Sequence, residues 1–167
     1  MERLENSRWG FESNCFVCEA ANTAGLGIEF FVDSDDDAVV ADFSLDQRFS
    51  GAPSYVHGGV VLAVLDEAMA WATIALAGSF AVTKETTTRF RAPVHVGGDY
   101  RVRAEIERDE GDELGCRAEV TDRDGKVCAT ARATFVPLGP AQAVEAIGTT
   151  VTGDDTRYLR GAELTDR

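Results

Sequence analysis

Residues 58–78 read GGVVLAVLDEAMAWATIALAG, an alanine-rich apolar run whose only charges are Asp66 and Glu67 and which has glycine at both ends. Its length and bounding glycines predict a helix. A helix apolar nearly all the way round either crosses a membrane or is enclosed by protein. Two acids at its middle and no basic flank predict the second. On both sides the pattern changes to that of strands. Residues 26–32 and 38–45 are rich in Phe, Ile and Val, with the polar run 33–37 as the turn between them. Residues 80–91, 100–108, 114–122 and 127–137 are strand-length runs separated by Gly- and Asp-rich turns, and they predict a four-stranded meander. In the second of them Arg101, Arg103, Glu105 and Glu107 alternate with Val102, Ala104 and Ile106, so one sheet face is wet and the other dry.

Two strands, a helix and four strands have a simple solution, an α+β domain in which one curved antiparallel sheet wraps the single apolar helix. Residues 46–57, with Gly51, Pro53 and no sustained period, read as the loop that leads into that helix. Residues 1–25 are then a lead-in and 26–139 the domain. Residues 140–167, where the composition turns to Ala, Gly, Thr and Asp, read as a flexible tail. The alternative for the tail is an arm onto a neighbouring subunit, with Tyr158 and Leu159 as its anchor.

Composition narrows the function classes. The 167 residues are 44% hydrophobic and 27% charged, the balance of one globular core. A formal net charge of -13 argues against coating nucleic acid or an anionic membrane, so neither is expected as a partner. The first twenty residues mix both signs of charge without an apolar stretch of leader length, which points to a cytoplasmic product. Cys15 and Cys18 have zinc-knuckle spacing. Cys116 and Cys128, twelve apart, and only two histidines supply no matching second half, so free thiols and no metal are expected.

Chemistry concentrates around the helix. His57-Gly58-Gly59 stand at its entry, where the first N–H groups have no partner inside the helix and glycine lets a ligand approach the backbone. Such donors, aided by the helix dipole, stabilise an oxygen that gains negative charge during attack on a carbonyl. The competing reading is that the glycines serve close packing of the loop alone. Asp66 and Glu67 are carboxylates on an apolar helix, where desolvation demands a reason. Being adjacent they point about 100 degrees apart, so one serves the site while the other pairs elsewhere. For Asp66 a purely structural role, accepting hydrogen bonds from backbone or from Thr83, stays open. Asp66 lies eight positions after Gly58, about 12 Å along the axis, too far for one carbonyl to meet both groups of the same helix. Two antiparallel copies, one per subunit, bring Gly58 of one chain to Asp66 of the other, so the geometry asks for a dimer.

His57-Gly58-Gly59, Leu65-Asp66-Glu67-Ala68, Thr83-Lys84-Glu85 and Arg89-Phe90-Arg91-Ala92-Pro93-Val94 leading into Gly97-Gly98-Asp99 resemble the hotdog-fold acyl-CoA thioesterases of the phenylacetate-pathway and thioesterase-superfamily type. The segment from Cys15 to Leu26 resembles a lead-in of one branch of them. The resemblance spans residues 15–137. It implies a hotdog fold, with the helix wrapped in the sheet and two sites at a dimer interface, in some members paired again into tetramers. It further implies that the Gly58 N–H polarises the thioester carbonyl and that Asp66 acts as general base or nucleophile. Thr83 would help to hold the water or the carboxylate, and His57 would orient the loop or contact the thioester. Several relatives carry Asn or Gln six residues before the histidine, where this chain has Gly51. Ser50 or Ser54 then takes over that contact, or the geometry differs.

Residues 89–103 hold Arg89, Arg91, Arg101 and Arg103 against Asp99, a basic island in an acidic chain and a landing place for coenzyme phosphates. His95 follows Pro93 in the same segment. The expected activity is hydrolysis of an acyl-CoA thioester without metal or redox cofactor. An acyl-carrier-protein thioesterase, a hotdog dehydratase or hydratase, and a non-catalytic acyl-CoA-binding protein are the alternatives.

Overall fold

The computed structural model describes residues 1–9 and 13–159. The central helix α1 runs Gly58–Ala75. His57 opens it in an extended conformation, its carbonyl accepting from the Val60 and Val61 N–H groups. At the other end Gly78 takes a φ of 59°, and its N–H closes on the Ile74 carbonyl at 3.1 Å.

Strands β1 (Glu2–Leu4), β2 (Phe30–Asp33), β3 (Ala38–Phe43), β6 (Ala81–Phe90), β7 (Tyr100–Asp109), β8 (Leu114–Asp122) and β9 (Val127–Pro137) form one antiparallel sheet ordered β1-β2-β3-β7-β8-β9-β6. Its inner face lies on α1, where Val64, Leu65, Ala68 and Met69 are fully buried among Val39, Val102, Val120 and Phe135. This is the hotdog architecture, α+β as expected. The expected loop 46–57 contains a 3-10 turn, Gln47–Phe49, and a two-stranded hairpin of β4 (Ser50–Ala52) and β5 (Tyr55–Val56). Helix α1 is long and apolar enough to cross a membrane, yet here its inner row is covered by the sheet.

Two expectations need correction. The last four strands are not a meander. β7, β8 and β9 pair in sequence, whereas β6 pairs with the far side of β9, from Ala81 opposite Pro137 to Phe90 opposite Ala129. The Arg91 and Ala92 N–H groups both bond the Cys128 carbonyl, and Pro93 has no N–H to continue the ladder. The connection then crosses the start of α1, Val94 accepting from the Val56 N–H at 2.8 Å, and delivers β7 beside β3. β6 is thereby left as a sheet edge, with residues 82–87 exposed.

The tail is the second correction. Helix α2, Pro140–Ile147, starts on a proline and stops at Gly148 with φ 80°, burying Ala143. A 3-10 turn, Gly153–Tyr158, follows. Tyr158 and Leu159 are buried against their own chain, the Phe80 N–H donating to the Tyr158 carbonyl at 2.9 Å and the two rings 5.4 Å apart. The expected anchor exists, but on this chain. Residues 160–167 lie outside the described residues.

Candidate functional site

The start of α1 distributes its donors unevenly. His57 Nδ1 accepts the Gly59 N–H at 2.9 Å, and the His57 carbonyl takes the Val60 and Val61 N–H groups at 2.9 and 3.1 Å. The Gly58 N–H has no partner among the described residues. Gly59, a site candidate from sequence, is therefore spent on the cap, and Gly58 alone keeps its donor outward. A Cβ at Gly51 would lie 3.0 Å from the His57 Cα and Cδ2 atoms, so the glycine makes room for the capping histidine. The Ser50 hydroxyl accepts from Gln47 Nε2 at 3.0 Å.

Beside Gly58 is a groove of about 360 Å³ lined by Tyr55, Val61, Phe90, Arg91, Pro93 and Val94. Its lining is apolar apart from Arg91. Phe90, an exposed aromatic, is in reach of Gly58: a Cβ there would meet its ring at 3.5 Å. His95 sits outside the groove, its ring edge-on to Tyr55 at 5.0 Å and its backbone N–H donating to Tyr100 Oη at 2.8 Å.

Two turns along α1, the half-buried Asp66 accepts from Thr83 Oγ1 at 2.9 Å. Burial raises its carboxyl above the ordinary range, and the Thr83 hydroxyl opposes that by bonding the charged form. Thr83 reaches it because β6 lies beside α1 and Thr83 faces inward opposite Phe135. Thr88, opposite Ala131, has a buried hydroxyl without a partner among the described residues. No sequence signal distinguishes it from its threonine neighbours. Gly59, Leu62, Ala63, Asp66, Ala70 and Ile74 form a stripe of α1 that this chain's own sheet leaves partly open.

Glu67 turns away from Asp66, as adjacency on a helix requires. Its Oε1 lies 3.4 Å from the Cys15 sulfur, in a cluster with Cys18 whose ligand atoms all fall within 4.8 Å of one another. The sequence reading, which sought a second half among cysteines and histidines, missed this carboxylate.

The arginines divide. Arg89 and Arg91 line a concavity of about 450 Å³ on the outer sheet face with Arg103, Arg117 and Arg132. Arg103 and Arg117 share Glu105, and Arg132 holds Glu107 at 2.9 Å. Arg89 and Arg91 have no acidic partner among the described residues. Arg101 stands apart, its Nε and Nη2 each donating to the Asp42 carboxylate at 2.7 Å.

Residues 54–129 match the thioesterase superfamily. A phenylacetic acid degradation-related protein of Ralstonia eutropha JMP134 is 30% identical over 66% of this chain and 85% of its own, with a TM-score of 0.58. The E. coli PaaI protein from the phenylacetic acid degradation operon is 22% identical over 72% of this chain and 86% of its own, with a TM-score of 0.64. The acyl-coenzyme A thioesterase THEM4 of Mus musculus is 26% identical over 119 residues, 70% of this chain. The chain spans about half, 51%, of that curated relative.

Proposed function

The chain belongs to the thioesterase superfamily, and from that premise we propose that it hydrolyses an acyl-CoA thioester to the free acid and coenzyme A at a site shared between two subunits. The observation that carries this reading is the unpaired Gly58 N–H at the mouth of an apolar groove, on the same helix as a carboxylate held by Thr83.

The chemistry follows from these groups. The Gly58 N–H donates to the thioester oxygen as it becomes an oxyanion, the dipole of α1 adding to the effect. Asp66 takes a proton from the attacking water, and the Thr83 hydroxyl fixes the carboxylate's orientation. His57 positions the start of α1, its Nδ1 accepting the Gly59 N–H. Glu67, aimed at the cysteines, is outside this step. The axial gap of about 12 Å between Gly58 and Asp66 is closed by a second α1 running antiparallel, for which the open stripe and the β6 edge offer the surface. Arg89 and Arg91 are the groups available to coenzyme phosphates, and the mouse relative's name supports coenzyme A as the carrier.

The test is a panel of aromatic and aliphatic acyl-CoA substrates with detection of free coenzyme A. Turnover should fall by about a hundredfold in Asp66→Asn and less in Glu67→Gln. A crippling Glu67→Gln beside a nearly silent Asp66→Asn would reverse the roles. Turnover of acyl-carrier-protein thioesters alone would give the carrier to a protein instead.

A further inference from the structure

We propose that Cys15, Cys18 and Glu67 form a binding site for a thiophilic divalent cation of the zinc type, which fastens the N-terminal lead-in to the flank of α1. Two sulfurs and one carboxylate oxygen, contributed by segments 52 residues apart in sequence, converge to within 4.8 Å of one another. Zinc takes thiolate and carboxylate ligands in a tetrahedron of about this size, with water completing the fourth position.

The surroundings are those of ligands held in place. The Val17 N–H donates to the Cys15 sulfur at 3.3 Å, and Asn6 Nδ2 donates to the Cys18 sulfur at 3.5 Å, the kind of bond that orients metal thiolates. The turn bearing the cysteines is itself pinned, with the Leu26 N–H on the Phe16 carbonyl at 2.8 Å and the Ile28 N–H on the Val17 carbonyl at 2.9 Å. The anchor is thus built before any ion arrives.

Charge gives the reason for an ion. Among the described residues no Lys, Arg or His compensates the three acids, whose neighbours are one another and Asp66. A divalent cation would bind both thiolates and the carboxylate and release their protons to solvent. A dithiol–disulfide pair would use the two sulfurs and leave Glu67 buried against them without a partner. A cation uses all three groups.

The experiment takes the whole chain, reduced and stripped with chelator, and titrates it with cobalt(II) and then zinc. We expect one cobalt per chain with a thiolate-to-cobalt charge-transfer band, displaced by zinc, and zinc protection of Cys15 and Cys18 from alkylation in the wild-type protein. Cys18→Ser should abolish the band. Glu67→Gln should weaken zinc binding by about tenfold or more, while Cys128→Ala leaves it unchanged. Circular dichroism of each variant separates loss of a ligand from loss of fold. The wild-type protection assay stands without any variant. The proposal is overturned if wild-type Cys15 and Cys18 stay equally reactive with zinc, if Glu67→Gln binds zinc as tightly as wild type, or if the chain as purified carries a Cys15–Cys18 disulfide and takes up no metal after reduction. Hydrolysis of acyl-CoA is not read in any arm, so failure here leaves the functional reading untouched.

Discussion

Gly58 contributes a backbone N–H to the proposed mechanism, and a backbone group resists most mutagenesis. Its position makes an exception. As the first residue of α1 it has no helical bond to lose, and His57 before it is extended at φ −60° and ψ 134°, the conformation proline requires of its predecessor. Gly58→Pro should therefore remove the donor and keep the helix, lowering turnover by about a hundred- to a thousandfold with little change in Tm. Gly58→Ala retains the N–H and places its methyl at an ordinary contact distance from Phe90, so it should keep much of the activity. Comparable losses in both variants would mean that the space beside Phe90, rather than the hydrogen bond, is what glycine provides.

At the scale of elements, the strands that alternate or are β-branched were readable from sequence, and so was α1, because a period of two and a long apolar run are local signals. The place of β6 was not, since pairing depends on where the 91–99 connection goes, and that is fixed by bonds to Cys128, Val56 and Leu45 far away in sequence. Pro140 and Gly148 did punctuate a short helix in the tail, but a reading that looked for sustained periodicity passed over them. Motif and helix geometry pointed to Gly58 and Asp66, and the structure gives the first an unpaired N–H and the second a hydrogen bond from Thr83. The arginines were not one island: Arg101 on β7 is opposite Asp42 on β3, while Arg89 and Arg91 lie at and just beyond the end of β6. Arg91→Ala should accordingly raise KM for acyl-CoA much more than it lowers kcat, and the effect should vanish with a short pantetheine thioester. Arg101→Ala should change neither, its exposed pair with Asp42 contributing at most about 1 kcal/mol to stability. Equal KM effects from both arginines would place the phosphates across the whole outer face.

For the whole molecule the decisive quantity is the distance between donor and base along one helix. A rigid α1 cannot bend Gly58 onto Asp66, so on the proposed mechanism a single chain holds two halves of different sites. The edge strand β6, the exposed Phe90 and the open stripe of α1 lie around those halves and are the surface the proposal gives to a second copy. Light scattering at micromolar concentration should give at least twice the chain mass of 18.0 kDa. The measurement that reaches the claim itself mixes two inactive proteins, Gly58→Pro and Asp66→Asn, under conditions in which differently tagged subunits are seen to exchange. A mixed dimer has one site with both groups intact and one with neither, so an equal mixture should recover about a quarter of wild-type activity. If mixed dimers form and activity stays at the level of the parents, Gly58 and Asp66 do not meet across an interface and the shared site is wrong.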